Sequence, residues 1–214
     1  EVKDHLAGIK RLLAEAKSNQ ARVEKKGAFT IEEIRTCHFE NSLQGKRDKA
    51  LLLIGFAGGF RRSELAGIAV EDIADDPKGL MIHLHQTKSN QDADVAIVKG
   101  KVPTWCPVVA FKKYMEAIGI ESGPVFRSIR RGDHLTEQGL DGVTINRLVK
   151  KYVEQLGFDP GDYGAHSLRA GCATYFLEHG VAPYIVQKHL RHKSFNTTQE
   201  YNRSEVARGL EGIY

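Results

Sequence analysis

The chain has 214 residues, with 41% hydrophobic and 27% charged residues and a formal net charge of +4. A chain of this size buries roughly 70% of the surface its unfolded form exposes, which excludes dependence on disulfides or a metal, and the composition excludes disorder and collagen-like repeats. The longest strongly apolar run, residues 50–57, is far short of the ~20 residues of a membrane span, and residues 1–26 are charged throughout, unlike a secretory leader.

Val2, Leu6, Ile9, Leu13 and Ala16 share one helical face with no cap or turn before them, so the chain is expected to open inside a helix that continues from a preceding domain. Residues 1–26 hold seven Lys or Arg against four Asp or Glu. Such an arm either follows a phosphate backbone or forms a solvated helix face. Residues 17–27 read as a polar linker. Thr30-x-x-Glu33 then predicts a capping box opening a short helix at Ile31. Residues 47–56 are apolar all round in their second half, the pattern of a buried central helix, ended by Gly58-Gly59. Beyond a further short helix, Leu80, Ile82 and Leu84 alternate with Met81, His83 and His85, and Val95 alternates with Ile97, predicting a small antiparallel hairpin or meander. Pro107 precedes a helix marked by Val108, Phe111, Met115 and Ile118, and Ile145, Leu148, Val149, Tyr152, Val153 and Leu156 mark another. Residues 166–178 read as a helix ended by Gly180, and Pro183 opens the next, to about Leu190. The expected class is mainly α with a small antiparallel β-sheet, α+β. Cys37, Cys106 and Cys172 are odd in number and form no CxxC, so neither a disulfide framework nor a zinc site is indicated, and a reducing, cytoplasmic setting is expected.

Four segments place chemistry-bearing groups at telling spacings. Arg61 and Glu64 are i,i+3 neighbours just past the buried helix, so one carboxylate can fix one guanidinium. His166 and Arg169 repeat that spacing at a helix start. His192 and Tyr201 are nine residues apart, half a turn out of phase on one helix. A break is therefore required, and Asn196 with Gln199 predicts a capping box with a new helix from Thr197. Lys88 falls at the tip of the predicted hairpin. Taken singly, each has a plain structural account: a surface ion pair, a helix face, a core tyrosine, a solvated lysine. Nine histidines raise a metal hydrolase, but there is no HExxH and no close His/Asp ligand cluster is apparent.

Taken in order, Arg61 in GGFRRSEL, Lys88 in the hairpin, HSLR at 166–169, His192 in LRHKS and Tyr201 nine residues later resemble the site-specific tyrosine recombinases, the phage integrase family, over residues 28–205. The resemblance implies a catalytic domain at 28–201. It makes residues 1–27 the end of a helix and a basic linker from an N-terminal DNA-binding domain. Residues 202–214 become a helical tail whose Val206, Leu210 and Ile213 dock on a neighbouring protomer or cover their own domain. It implies Tyr201 as nucleophile, His166 as the acceptor of its proton, Arg61, Arg169 and His192 on the phosphate, Glu64 in support, and Lys88 as general acid, with Lys99 and Lys101 as alternatives. Arg62, Arg127, Arg130, Arg131, Arg191 and Lys193 become candidate DNA contacts. Arg191 stands where many members have glycine, and Arg62 where an apolar residue is usual. No metal, cofactor or ATP is expected. The implied partners are double-stranded DNA and further copies of the chain in a tetrameric synapse, with a monomer free in solution, no membrane, and a place in the cytoplasm at the nucleoid. A non-enzymatic DNA-binding domain and a type IB topoisomerase-like enzyme are the competing readings.

Overall fold

The structure, a computed structural model, describes residues 27–85, 92–199 and 201. The expected opening helix and most of the linker, Lys88 at the hairpin tip, and the tail at 202–214 lie outside the described residues.

Helix α1 (Ile31–Thr36) starts where the capping box predicts: the Glu33 carboxylate accepts the Thr30 backbone N–H at 2.6 Å. Helix α2 (Leu43–Ala57) is capped by Ser42, whose hydroxyl oxygen accepts the Gly45 N–H at 3.0 Å. Its five residues Ala50, Leu51, Leu52, Leu53 and Ile54 are each at most 1% exposed, so it is buried on every side, as its unpatterned apolar run requires. Gly58 ends it, and Gly59 turns the chain at φ +53, where an added Cβ would lie 2.2 Å from Leu190. Only glycine fits both that backbone angle and that approach. The chain enters α3 (Arg62–Gly67) directly afterwards.

Strands β1 (Ile73–Asp76), β2 (Gly79–Leu84) and β3 (Ala93–Val98) form an antiparallel sheet in chain order, with Leu80 opposite Ile97 and Ile82 opposite Val95. Those four side chains are buried, so period-2 alternation sets one face of the sheet on the core. Helix α4 (Pro107–Ile118) packs along α2 and ends at Gly119 in the left-handed conformation. Strands β4 (Arg127–Arg130) and β5 (His134–Gly139) make a second, two-stranded sheet that the sequence reading did not anticipate. Arg127 and Arg130 of the expected DNA contacts lie on β4, and Arg131 follows it in the turn. The sheet's short polar strands carry almost no apolar alternation, and Gly132 and Asp133, both at positive φ, close the turn.

Helix α5 (Gly142–Gln155) is capped by the Asp141 carboxylate on the Thr144 N–H at 2.7 Å and turns Ile145, Leu148, Val149, Tyr152 and Val153 inward. Helix α6 (Ala165–Glu178) is buried over most of its length beside α2, and α7 (Pro183–Leu190) packs on it. The last helix among the described residues, α8 (Phe195–Gln199), begins two residues earlier than predicted. Ser194 starts the turn instead of Asn196: its hydroxyl accepts the Asn196 N–H at 3.3 Å and its carbonyl the Thr197 N–H at 3.2 Å. The class is the one expected, mainly α with small antiparallel sheets.

Candidate active site

Three chain reversals meet at one place: the α2–α3 corner at Gly59–Arg61, the start of α6, and the α7–α8 turn. Arg61 is the N-cap of α3, and the first turn of that helix brings Glu64 back against it. Glu64 accepts the Arg61 backbone N–H at 2.8 Å and its Nη1 at 2.5 Å, while Arg61 Nη2 donates to the Arg191 carbonyl at 3.0 Å. From the other side Arg191 Nη2 donates to the same Glu64 carboxylate at 2.8 Å. Burial pushes this carboxyl up. The Arg61 backbone N–H and the guanidiniums of Arg191 and Arg61 outweigh that and hold it below the ordinary carboxylate range.

Arg169 lies on the buried face of α6, 2% exposed, with Nη1 donating to the Gly59 carbonyl at 2.6 Å and Nη2 to the Leu190 carbonyl. Burial, and then the nearby Arg61 and Arg191 charges, push its guanidinium down to about 10, still charged at neutral pH. Arg61 and Arg191 thus share one carboxylate while Arg169 bonds only backbone carbonyls, and three guanidiniums against one carboxylate leave the site two net positive charges. Such a cluster of fixed forks favours an anion with several oxygens.

His166, one turn before Arg169 on α6, brings Nε2 to 3.2 Å from the Tyr201 hydroxyl. The protein atoms packed about its imidazole, then the Arg169 and Arg61 charges, hold it below its ordinary range. His192 follows α7, and its ring lies nearly parallel to that of Tyr201, 17° apart with centroids 6.0 Å distant. Burial pushes His192 down to about 4, helped by the charges of Arg169 and Arg61 and by His166 and Arg191. Both imidazoles are thus biased toward the neutral form, which leaves His166 able to accept a proton.

The structure thus brings Arg61, Glu64, His166, Arg169, His192 and Tyr201 together, across 140 residues of sequence. Arg191 joins them through Glu64, and the remaining expected positions fall elsewhere. Arg191, read as a DNA contact, turns its guanidinium inward: the side chain is 10% exposed, bonds Glu64 and the carbonyl of His189 at 2.7 Å, and lies 5.5 Å over the Phe60 ring. Its backbone is left-handed, φ 57 and ψ 43, a conformation that glycine adopts more cheaply. Arg127 is spent on its own loop, donating to the carbonyls of Pro124 at 2.9 Å and Ser122 at 2.5 Å. Arg62, Arg130, Arg131 and Lys193 are exposed, as are Lys99 and Lys101.

Two features escaped the sequence reading. Thr198 is fully buried on α8 and its hydroxyl lies 2.8 Å from His192 Nδ1, so it addresses one ring nitrogen and leaves Nε2 to the site. A threonine three residues before a tyrosine carries no such signal by itself. A His/Asp cluster also exists after all: His83, His85 and Asp92 converge on the outer face of the three-stranded sheet. The signal was the pair of period-2 repeats, His-Leu-His at the end of β2 and Asp-Ala-Asp at the start of β3.

A tyrosine hydroxyl lies against an imidazole, beside clustered guanidiniums in a mainly helical domain, an arrangement suited to an oxyanion. The chain belongs to the phage integrase family, whose model matches residues 29–208. It is 38% identical over 165 residues to an integrase/recombinase described as a xerD homolog from Selenomonas ruminantium, covering 76% of this chain and 48% of that protein. Tyrosine recombinase XerA of Pyrococcus horikoshii is 30% identical over 167 residues, 78% of this chain and 54% of that one. The chain therefore spans about half the length of these relatives. In fold it is similar to the XerH site-specific recombinase in a post-cleavage complex with palindromic difH substrate, at a TM-score of 0.66 and 18% identity over 88% of this chain and 53% of that one.

Proposed function

We propose that the chain is the catalytic part, residues 28–201, of a site-specific DNA recombinase that cuts and rejoins strands through a 3′-phosphotyrosyl link. The observation that carries this reading is the 3.2 Å approach of the Tyr201 hydroxyl to His166 Nε2 at the edge of a site with surplus positive charge. The Tyr201 oxygen attacks the phosphorus as its proton passes to His166, and the bond from phosphorus to the 5′ oxygen breaks. A free tyrosine has a pKa of about 10, so the attacking oxygen needs that acceptor at neutral pH. Arg61 and Arg169 meet the charge that gathers on the nonbridging oxygens, and His192, its Nδ1 held by Thr198, donates from Nε2. Lys88 supplies the proton to the departing 5′ oxygen, and Glu64 holds Arg61 in place. Religation to another 5′ hydroxyl reverses the step, so the link conserves the bond and neither ATP nor a metal enters it.

The proposed partner is double-stranded DNA, gripped through phosphates by exposed Arg62, Arg130, Arg131 and Lys193, in the cytoplasm at the nucleoid. Among the described residues no helix is long and apolar enough to cross a membrane. Further copies of the chain assemble on the DNA. An apolar cavity of about 440 Å³, lined by Phe56, Val98, Trp105, Phe176 and Ile185 among others, is the proposed seat for the Val206, Leu210 and Ile213 stripe of a neighbouring copy. The test is covalent trapping on a nicked suicide duplex. Wild type is expected to form an adduct that Tyr201→Phe does not form while still binding the duplex. An adduct persisting in Tyr201→Phe reassigns the nucleophile, and DNA binding with no wild-type adduct supports a binding domain instead. Relaxation of supercoils without strand exchange supports the topoisomerase-like reading.

A further inference from the structure

The β2–β3 register sets His83 opposite Asp94 and Leu84 opposite Ala93, and His85 and Asp92 follow at the same end. Period-2 alternation turns Ile82 and Leu84 into the core and leaves His83 and His85 together on the outer face, ring centroids 4.7 Å apart. Each imidazole is already held by a carboxylate through one nitrogen: His83 Nδ1 lies 2.7 Å from Asp94 Oδ1, and His85 Nε2 lies 2.9 Å from Asp72 Oδ1. Asp72 is itself fixed, its other oxygen accepting the Ala69 N–H at 2.9 Å. Those bonds leave His83 Nε2 and His85 Nδ1 as the ring atoms over, and Asp92 Oδ2 lies 3.8 Å from His83 Nε2. A carboxylate on the far nitrogen is the arrangement that orients metal-bound histidines and raises their basicity.

We propose that His83, His85 and Asp92 bind one divalent transition-metal ion on the outer face of the sheet, with Asp94 and Asp72 as positioning residues. One donor atom from each of the three already lies within 4.8 Å of the others. Tetrahedral zinc, with bonds of roughly 2.0–2.2 Å, spaces its donors by about 3.4 Å, so the site closes by side-chain rotation of about 1.5 Å with no strand movement. The three side chains are 39%, 67% and 58% exposed, so that adjustment displaces no core side chain. Two imidazoles with one carboxylate select Zn²⁺, Ni²⁺ or Cu²⁺ over Mg²⁺ or Ca²⁺, and three protein donors leave a position for water. The bound ion ties β2 to β3 through side chains, at the end of the pair where backbone pairing stops. None of these residues serves the proposed DNA chemistry, so this site stands or falls apart from it.

The test is a Zn²⁺ titration of the whole chain by calorimetry and by competition with a chromophoric chelator, and Co²⁺ loading read by its absorption spectrum. One ion per chain is expected, with nitrogen and oxygen ligands in the cobalt spectrum. The His83→Ala/His85→Ala variant, altered only on an exposed strand face and checked for fold by circular dichroism, is expected to lose that ion. Asp94→Asn is expected to keep the stoichiometry and weaken affinity roughly 10- to 100-fold. No uptake by wild type overturns the proposal, and so does equal uptake at equal affinity by the double variant. Unchanged affinity in both Asp94→Asn and Asp72→Asn overturns the positioning roles.

Discussion

Glu64→Ala tests whether one carboxylate holds the site together. It removes the acceptor of three hydrogen bonds, from the Arg61 backbone at 2.8 Å, Arg61 Nη1 at 2.5 Å and Arg191 Nη2 at 2.8 Å, and leaves guanidiniums only 22% and 10% exposed without their counter-charge. Removing one partner of a buried pair costs about 3–5 kcal/mol, and because Arg61 reaches solvent the lower end of that range applies, near 3 kcal/mol. Against the 5–15 kcal/mol typical of a domain, the variant stays folded at room temperature but melts early. Urea denaturation followed by Trp105, the single tryptophan, measures this directly. Glu64→Gln keeps the shape and an acceptor and should lose about half as much. The pH dependence has a definite sign: the Glu64 carboxyl is held below its value of 4.5, so the unfolded chain takes up the proton first. Stability from this group is complete above pH 4.5 and is lost as pH falls through the folded value. Glu64→Gln should lack that part of the acid sensitivity. In cleavage, Glu64→Ala and Arg61→Ala should be far from additive, since one acts through the other. A Glu64→Ala variant within 1 kcal/mol of wild type, or strict additivity, refutes the clamp.

Thr198→Val, which keeps the shape and removes the hydroxyl, should slow cleavage roughly 3- to 10-fold, the worth of one neutral hydrogen bond, and ¹⁵N spectra should show His192 losing its preference for a proton on Nε2. Unchanged rate and tautomer would remove Thr198 from the mechanism. His192, pushed down to about 4, should remain neutral in an NMR titration of the DNA-free protein at pH 5.5, and a protonated ring there contradicts its buried setting. Lys88→Ala should slow cleavage by about 10² to 10⁴ and recover on a substrate with sulfur at the bridging 5′ position, because a thiol's pKa of about 8.5 lets it leave unprotonated. Recovery of a Lys99 or Lys101 variant instead moves the acid to that residue.

Much of this fold was legible because its helices announce their ends: Thr30 and Glu33, Gly58-Gly59, Pro107, Gly180 and Pro183 each act through local backbone chemistry. The second sheet was not legible, since β4 and β5 are held by turn geometry and pairing, with little apolar alternation to read. The grouping of Arg61, Glu64, His166, Arg169, His192 and Tyr201 was implied by the family resemblance that their order carries, but the inward turn of Arg191 was not. Its direction depends on a left-handed backbone at the end of α7 and on a carboxylate 127 residues away. The outer-face cluster at His83 stayed hidden for the same reason, because register is a property of two strands at once.

Arg191 and Arg61 cross at the site: one guanidinium reaches Glu64, and the other reaches the Arg191 carbonyl. Together with Arg169 on the carbonyls of Gly59 and Leu190, they add polar contacts to the closure of a chain loop of about 130 residues. Closing such a loop costs entropy that local helices do not pay. Ligand occupancy and chain closure are therefore one linked equilibrium. An oxyanion seated among the three guanidiniums stabilises the closed chain by RT ln(1 + [L]/Kd), and loosening the long-range closure weakens the grip on that anion in equal measure.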